Sequence, residues 1–357
     1  MLVFLSLLLL FPFLSNVTNA EISQKDTILI TNKIANENEQ IDELKNKEKE
    51  IEGETEHQNN PLTKDKFESK KEPKNTFSMF FTTSSAPNYV KATDADFSGT
   101  SNGNFRYTGS AEYVEIPHEI KGVKVTSYYQ MFYRSNVKGV KSTNTNVTDM
   151  GFMFEDSRSS SLNLSQLNTS GVTNMRGMFY ASKATEIDVT NWNTSNVTNM
   201  SMMFYGSEVT KIDLSSFNTS NVTNMSEMFA GLKVPNIDLS NFDTSNVTNM
   251  SRMFYGAKVN VLDLSNFNTS KVTNMEMMFQ NFRANKLDTS SFDTRKVTNM
   301  NSMFASSELS HIDLSSFDTS NVGNMAFMFY QTKATMGHVR MQQQPPRSNP
   351  SPFTPHS

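Results

Sequence analysis

The sequence predicts a repeat solenoid, and the first observation behind this prediction is a phrase that recurs at a constant spacing. Val-Thr-Asn-Met-x-x-Met-Phe starts at six valines that lie 25 residues apart, at Val172, Val197, Val222, Val247, Val272 and Val297. Divergent copies start at Val147 and Val322, and a degenerate copy at Val125 lies 22 residues before Val147. A constant period of this length is typical of repeats that each form one coil and stack on their neighbours. We therefore predict about nine coils over residues 122–335.

The second observation is the apolar pattern between these copies. Residues 209–217 follow the order L-x-x-L-x-L-x-x-F, which matches the leucine-rich-repeat template with Phe217 in place of the usual asparagine. Ile212 and Leu214 are two residues apart, so a strand directs both to one face and Asp213 to the other. The predicted coil is leucine-rich-repeat-like and contributes one short parallel β-strand.

The third observation concerns the Met-x-x-Met-Phe half of the repeat. Met225, Met228 and Phe229 stand at i, i+3 and i+4, the spacing of one helical face, and Thr223 can cap the free amides before them. The segment is too short for an isolated helix, so it predicts one short α or 3₁₀ turn that is held by packing. The methionine columns are expected to be core.

Composition and motifs argue against catalysis. The 357 residues include no cysteine, which excludes disulfides, thiolate metal sites and a cysteine nucleophile. The five histidines share no repeat column, and neither a G-x-S-x-G elbow nor a phosphate loop is present. A net charge of -4 gives no indication of a nucleic-acid partner. We expect a protein that is not an enzyme.

The segments outside the repeats predict export. Residues 1–20 are apolar and end in Ala20, which is typical of a signal peptide, with an uncleaved N-terminal anchor as the alternative. Residues 21–75 are rich in Glu, Lys, Asn and Gln and predict a disordered charged stalk. Residues 76–121 are expected to be an N-terminal cap, and 336–357 a disordered Pro/Gln tail. Truncation or a change of reading frame near Met336 is an alternative account of that tail.

Two phrases carry a resemblance to a known family. Residues 212–229 (IDLSSFNTSNVTNMSEMF) and 116–132 (IPHEIKGVKVTSYYQMF) resemble the BspA-like leucine-rich-repeat surface proteins, whose repeat domain occurs in mycoplasmas and lactic-acid bacteria. The resemblance covers about residues 105–335. It implies a secreted or cell-surface protein that binds a host or matrix protein or glycan, without a membrane span in the mature chain. A sortase signal of LPxTG type is not found, so the mode of surface attachment stays open.

Three columns of residues are candidates for function. A ligand-binding role is predicted for tyrosines that follow the Met-Phe pair, namely Tyr180, Tyr205, Tyr255 and Tyr330, with packing between coils as the alternative. A weak Ca²⁺ site is predicted for one ladder of carboxylates, with a solvated acidic stripe as the alternative; its members are Asp188, Asp213, Asp238, Asp263, Asp288 and Asp313. The asparagines of the Val-Thr-Asn-Met phrase are interpreted as amides that bond to the backbone between coils.

Two function classes follow. In the first, the coil surface binds a ligand and the protein is adhesin-like. In the second, the array is a structural spacer or coat component without a specific ligand.

Overall fold

A computed structural model describes residues 87–99, 103–309, 311–333 and 335–336, the last two by their backbone alone. All of these residues belong to one unit, Pro73–Ser357. The predicted signal peptide at 1–20 and the stalk at 21–75 lie outside the described residues, as do the start of the predicted cap and nearly all of the predicted tail.

The regular elements of the described residues are short strands and one 3₁₀ turn, Asp94–Asp96. The first six strands precede the clear repeats: β1 Val90–Lys91, β2 Phe97–Gly99, β3 Phe105–Tyr107, β4 Tyr113–Glu115, β5 Glu119–Ile120 and β6 Val123–Lys124. The remaining strands lie in the repeats: β7 Gly139–Lys141, β8 Ser161–Asn163, β9 Glu186–Asp188, β10 Val261–Leu262, β11 Lys286–Leu287, β12 His311–Ile312 and β13 Thr335–Met336.

Strands of successive repeats pair in parallel. The largest sheet has the order β1-β4-β7-β8-β9, and two further parallel pairs are β10-β11 and β12-β13. Leu162 pairs with Ile187 and Leu262 with Leu287, so the register between neighbours equals one repeat. A second line of parallel bridges joins the asparagines of the Val-Thr-Asn-Met phrase from Asn174 through to Asn324. Each repeat is therefore hydrogen-bonded to the next along two separate edges.

The strand ladder is reduced to single bridges in the middle of the array, where Glu186 pairs with Lys211 and Asn236 with Val261. Thr185, Thr210 and Asn260 each donate a backbone N–H to the preceding repeat. Pro235 occupies the same position and has no N–H to donate, so the bond to Thr210 is missing. The proline accounts for the interruption of the ladder at that repeat.

The Met-x-x-Met-Phe segments differ from the predicted helical turn. In the repeat of Met200, the backbone N–H groups of Met203 and Tyr205 donate three residues back, whereas those of Met202 and Phe204 donate forward to the next repeat. Met202 and Gly206 have φ angles of 59° and 60°. A left-handed residue interrupts the helical sequence of backbone conformations, so the segment is a run of turns. In a helix, N–H groups bond to carbonyls of the same helix. Here the N–H groups at every second residue donate to the next repeat instead.

The apolar core is built from the Met and Phe columns. The phenylalanines of the Met-Phe pair form one continuous stack with ring centroids 5.3–5.9 Å apart and interplanar angles of 1–17° from Phe132 to Phe329. Met150, Met175 and their equivalents up to Met300 are buried. Trp192 is buried as well, and its Nε1–H donates to the Leu164 carbonyl at 3.0 Å. These columns are the core, as the sequence predicts.

The N-terminal part of the described residues covers the first repeat. Strands β2 and β3 form an antiparallel hairpin whose Phe97, Phe105 and Tyr107 are buried. The Tyr107 N–H donates to the Met131 carbonyl at 2.8 Å, and the Tyr107 and Phe132 rings lie 5.4 Å apart. Among the residues that the structure describes, no helix has the length and apolar character that crossing a membrane requires.

Candidate ligand-binding surface

Two of the predicted tyrosines lie together on the surface of the turn segments. Tyr180 and Tyr205 follow the Met-Phe pair of successive repeats, and both are half-buried. Their rings stack with centroids 4.9 Å apart and an interplanar angle of 5°. The two residues occupy the same position of successive repeats. Their rings can therefore stack face to face while both repeats keep the same backbone conformation.

Two aromatic residues outside the predicted column extend this pair. The Phe152 ring lies 6.0 Å from Tyr180, and the Tyr129 ring lies 6.0 Å from Phe152 in an edge-to-face contact. Tyr129 is 38% exposed, which makes it one of the most exposed large apolar side chains of the described residues. We call Tyr129, Phe152, Tyr180 and Tyr205 the aromatic row. It spans four consecutive repeats.

Gly177 provides the space for the Phe152 ring. Gly177 is buried, has a φ of 58°, and a Cβ atom at this position would lie 2.3 Å from Cε1 of Phe152. In other repeats the same position carries side chains, for example Met202 and Arg252. The Phe152 ring therefore occupies the volume that a side chain fills elsewhere. The neighbouring Arg176 guanidinium lies 5.5 Å from the Phe152 ring centroid, within the range of a cation–π contact.

The other two predicted tyrosines are not part of the row. Ala230 occupies the tyrosine position between Tyr205 and Tyr255, and Tyr255 makes no ring contact with another aromatic side chain of the described residues. Tyr330 lies in the last described repeat, is 56% exposed and contacts the Phe327 ring at 5.9 Å. The structure thus brings together two of the four predicted residues and adds two that the column pattern does not contain.

The polar surroundings of the row contain both carboxylates and guanidinium groups. Burial raises the pKa of Tyr180, and the Tyr205 phenol and the Glu155 carboxylate raise it further. The Tyr180 phenol therefore stays protonated at neutral pH and offers an O–H donor. Glu155 accepts a hydrogen bond from Gln130 Nε2 at 2.7 Å, and Asp156 pairs with Arg134 at 3.1 Å. Rings with polar edges and neighbouring carboxylates can bind ligands by stacking and by hydrogen bonds at once.

Comparison with known protein families identifies the repeat. A model of the family described as "Mycoplasma protein of unknown function, DUF285" matches residues 124–242, 180–285 and 257–342. The three matches together span residues 124–342, more than half of the chain. The chain belongs to this family. The prediction of a bacterial repeat protein is thereby confirmed, because one model of a Mycoplasma family recurs along the sequence. No curated protein and no solved structure matches this DUF285 family member.

The carboxylate ladder of this DUF285 protein has a local structural role. The Oδ1 atoms of Asp213, Asp238, Asp263, Asp288 and Asp313 each accept the backbone N–H of the serine two residues later at 2.9 Å. Asp188 accepts the N–H and the hydroxyl of Thr190. Among the described residues no group of three or more acidic or histidine side chains could hold a metal ion. These contacts favour turn capping over metal binding, and a Ca²⁺ site at the ladder stays a prediction.

The asparagines of the Val-Thr-Asn-Met phrase bond differently from the interpretation given above. In each repeat the side-chain oxygen accepts the N–H two residues later, as Asn224 does from Ser226 at 2.9 Å. The bond to the neighbouring repeat comes from the main chain, where Met200 N–H donates to the Asn224 carbonyl. One column of side chains that joins repeats, and that sequence reasoning missed, consists of buried threonines. Their hydroxyls donate to a carbonyl 24 residues later in Thr169, Thr194, Thr219, Thr244, Thr269 and Thr294.

Proposed function

We propose that this DUF285 protein is a secreted, cell-surface repeat protein that binds a protein or glycan ligand through the aromatic row. In this proposal the repeats form one leucine-rich-repeat-like solenoid of BspA-like type, and the chain is a binding protein that carries out no catalytic step. The observation that carries the proposal is the unbroken set of ring contacts from Tyr129 through Phe152 and Tyr180 to Tyr205.

Three properties of the row support ligand binding. Aromatic side chains combine a large apolar area with few rotatable bonds, which is why tyrosine is enriched at binding hot spots. The row is partly exposed, whereas the neighbouring phenylalanine column from Phe132 to Phe304 is buried. Finally, Gly177 interrupts its own column at the one repeat where the Phe152 ring needs the volume. A surface of solvated side chains without a ligand does not require such an accommodation.

A structural spacer or coat component is the alternative, and one observation favours it. The inter-repeat ion pairs, such as Lys183–Glu208 and Arg283–Glu308, and the ladders of threonine and asparagine all serve contacts between repeats. Under this alternative the stacked tyrosines Tyr180 and Tyr205 contribute only to the cohesion of the array.

The experiment that separates the two uses immobilised collagen and a panel of immobilised glycans as probes. The wild-type chain, the double variant Tyr180→Ala with Tyr205→Ala, and the single variant Tyr255→Ala are compared for binding and for circular dichroism. Tyr255 has the same register and lies outside the row, so it is the matched control. We expect the double variant to lose at least about tenfold in affinity for a probe that the wild type binds, a loss typical of two hot-spot residues. Equal binding by all three chains, or a lack of binding to every probe by the wild type, contradicts the proposal.

A further inference from the structure

The turn segments give the array a direction, because the backbone N–H groups at every second residue all donate toward the following repeat. In each repeat four backbone N–H groups at every second residue donate to carbonyls of the following repeat. In the repeat of Met200 the donors are Met200, Met202, Phe204 and Gly206, and the acceptors are the carbonyls of Asn224, Ser226, Met228 and Ala230, at 2.8–3.0 Å. The same four bonds are present in eight successive repeats, from the repeat of Tyr128 to the repeat of Met300.

The last described repeat does not continue this pattern among the residues that the structure describes. Its corresponding N–H groups belong to Met325, Phe327, Phe329 and Gln331, and none of them meets an acceptor among the residues that the structure describes. Phe329 stacks on Phe304 at 5.8 Å with one face, whereas the phenylalanines before it are covered on both faces. Phe327 is 64% exposed and Tyr330 is 56% exposed. We call this surface the terminal face.

The opposite end of the array shows how such a face is closed. There the β2–β3 hairpin supplies a backbone N–H from Tyr107 to the Met131 carbonyl and places the Tyr107 ring against Phe132. The hairpin also excludes head-to-tail stacking of two copies, because it occupies the surface that a second terminal face would need. Two terminal faces brought together by a two-fold axis would set N–H groups against N–H groups. A second copy is therefore a poor occupant in either orientation.

The chemistry that fits is a row of backbone carbonyls at alternate residues with an apolar side chain for Phe329. Four donors spread over seven residues exceed what one small anion can accept, so a main chain with carbonyls at alternate residues suits them better. Unpaired backbone N–H groups at the edge of a repeat can bind the main chain of another molecule, as the edges of β-sheets do. We propose that the terminal face binds a Val-Thr-Asn-Met-x-x-Met-Phe segment supplied by another repeat protein, which docks as one further repeat. This interface is separate from the aromatic row and does not depend on the proposed function.

The test uses the full chain and a synthetic peptide with the sequence of residues 297–309, whose carbonyls accept this same set of bonds within the array. Hydrogen exchange is followed by mass spectrometry in the fragment 322–333 and in its internal equivalent 297–308. Without peptide we expect fast exchange at the terminal fragment and slow exchange at the internal one. Saturating peptide should slow the terminal fragment by about tenfold or more and leave the internal fragment unchanged.

Two controls make the outcome decisive. A scrambled peptide should have no effect, and a peptide with F304A should bind more weakly, because it lacks the ring that stacks on Phe329; this change cannot unfold the protein. The variant with Tyr180→Ala and Tyr205→Ala should respond to the peptide like the wild type, which separates the interface from the aromatic row. Unchanged exchange with peptide overturns the proposal. So does slow exchange at the terminal fragment before peptide is added, since another part of the chain would then already cover the face.

Discussion

At the scale of single residues, each turn segment holds two positions in a left-handed backbone conformation. The second and sixth residues after the first methionine have positive φ in every described repeat, including bulky ones such as Phe152 at 54° and Arg252 at 54°. This conformation costs an L-residue about 1–2 kcal/mol. The cost is offset by the bonds to the next repeat that only this backbone allows. Glycine avoids the cost, and Gly177 in addition makes room for the Phe152 ring.

The pair Gly177→Ala and Gly206→Ala separates these two contributions. Both glycines have φ near 60°, but a Cβ at Gly206 meets no atom within 4 Å, whereas at Gly177 it meets the Phe152 ring. We expect Gly206→Ala to lower the free energy of unfolding by about 1–2 kcal/mol through the backbone alone. Gly177→Ala should cost about 1 kcal/mol more through the displaced ring, and it should weaken ligand binding. Urea unfolding measures both, and equal losses would show that the Phe152 ring is not held in place by Gly177.

Acid sensitivity is predicted from one exposed pair. The guanidinium of Arg295 donates to Asp293 and lowers the pKa of that carboxyl to about 2. The pKa is thus lower in the folded than in the unfolded chain, so the pair stabilises the fold above pH 4 and this contribution is lost as the pH falls toward 2. The Arg295 side chain is largely exposed, so solvent screening keeps this contribution small. In urea unfolding at pH 4, 3 and 2, Arg295→Gln should show a smaller decrease than the wild type; identical decreases argue against the pair.

At the scale of elements, the run of turns explains where sequence reasoning succeeds and where it fails. The spacing of Met225, Met228 and Phe229 predicts that all three side chains are buried, and they are. The same spacing also predicts a helix, and the structure has turns with left-handed residues such as Glu227. The apolar pattern records only which side chains point inward, and both backbones satisfy it. The choice between them is made by hydrogen bonds to neighbouring repeats, which a single repeat does not reveal.

The buried threonine column gives an element-scale prediction. The Thr194 hydroxyl donates to the Asn218 carbonyl at 2.9 Å and accepts the Asn218 N–H at 2.8 Å. Thr194→Val keeps the shape and removes both bonds, so the free energy of unfolding should fall by about 1–3 kcal/mol. Thr198→Val is the matched control, because its exposed hydroxyl has one bond, to the Thr173 carbonyl at 3.3 Å, and should cost less than about 0.5 kcal/mol. Comparable losses in the two variants would remove the threonine column from the contacts that join repeats.

At the scale of the whole molecule, periodic features are predictable from the sequence and single departures from the period are not. The core columns and the parallel pairing of neighbouring repeats both follow from the 25-residue spacing of the sequence. The aromatic row arises because Phe152, which is outside the tyrosine column, meets Gly177 of the next repeat. The signal for it is a large side chain facing a glycine one repeat later in the same column. When each position of the repeat is considered separately, Phe152 and Gly177 are two unrelated exceptions to the pattern.

Stacking also predicts that the effect of a core substitution depends on its place in the array. Phe229 stacks on Phe204 at 5.9 Å and on Phe254 at 5.6 Å, whereas Phe329 stacks on Phe304 alone. Repeats are stabilised mainly by their nearest neighbours, so a central cavity weakens two interfaces and a terminal one weakens one. We expect Phe229→Ala to cost about 3–5 kcal/mol and Phe329→Ala less than about 2 kcal/mol.

Hydrogen exchange locates these losses along the chain. Phe229→Ala should accelerate exchange in the repeats on both sides of the substitution, because each loses a stacked ring and the packing that follows from it. Phe329→Ala should accelerate exchange only in the last described repeats. If both variants instead raise exchange uniformly from residue 125 to residue 330, the array unfolds as one cooperative unit. Stability would then be set by the whole stack, and the place of a core substitution in the array would not matter.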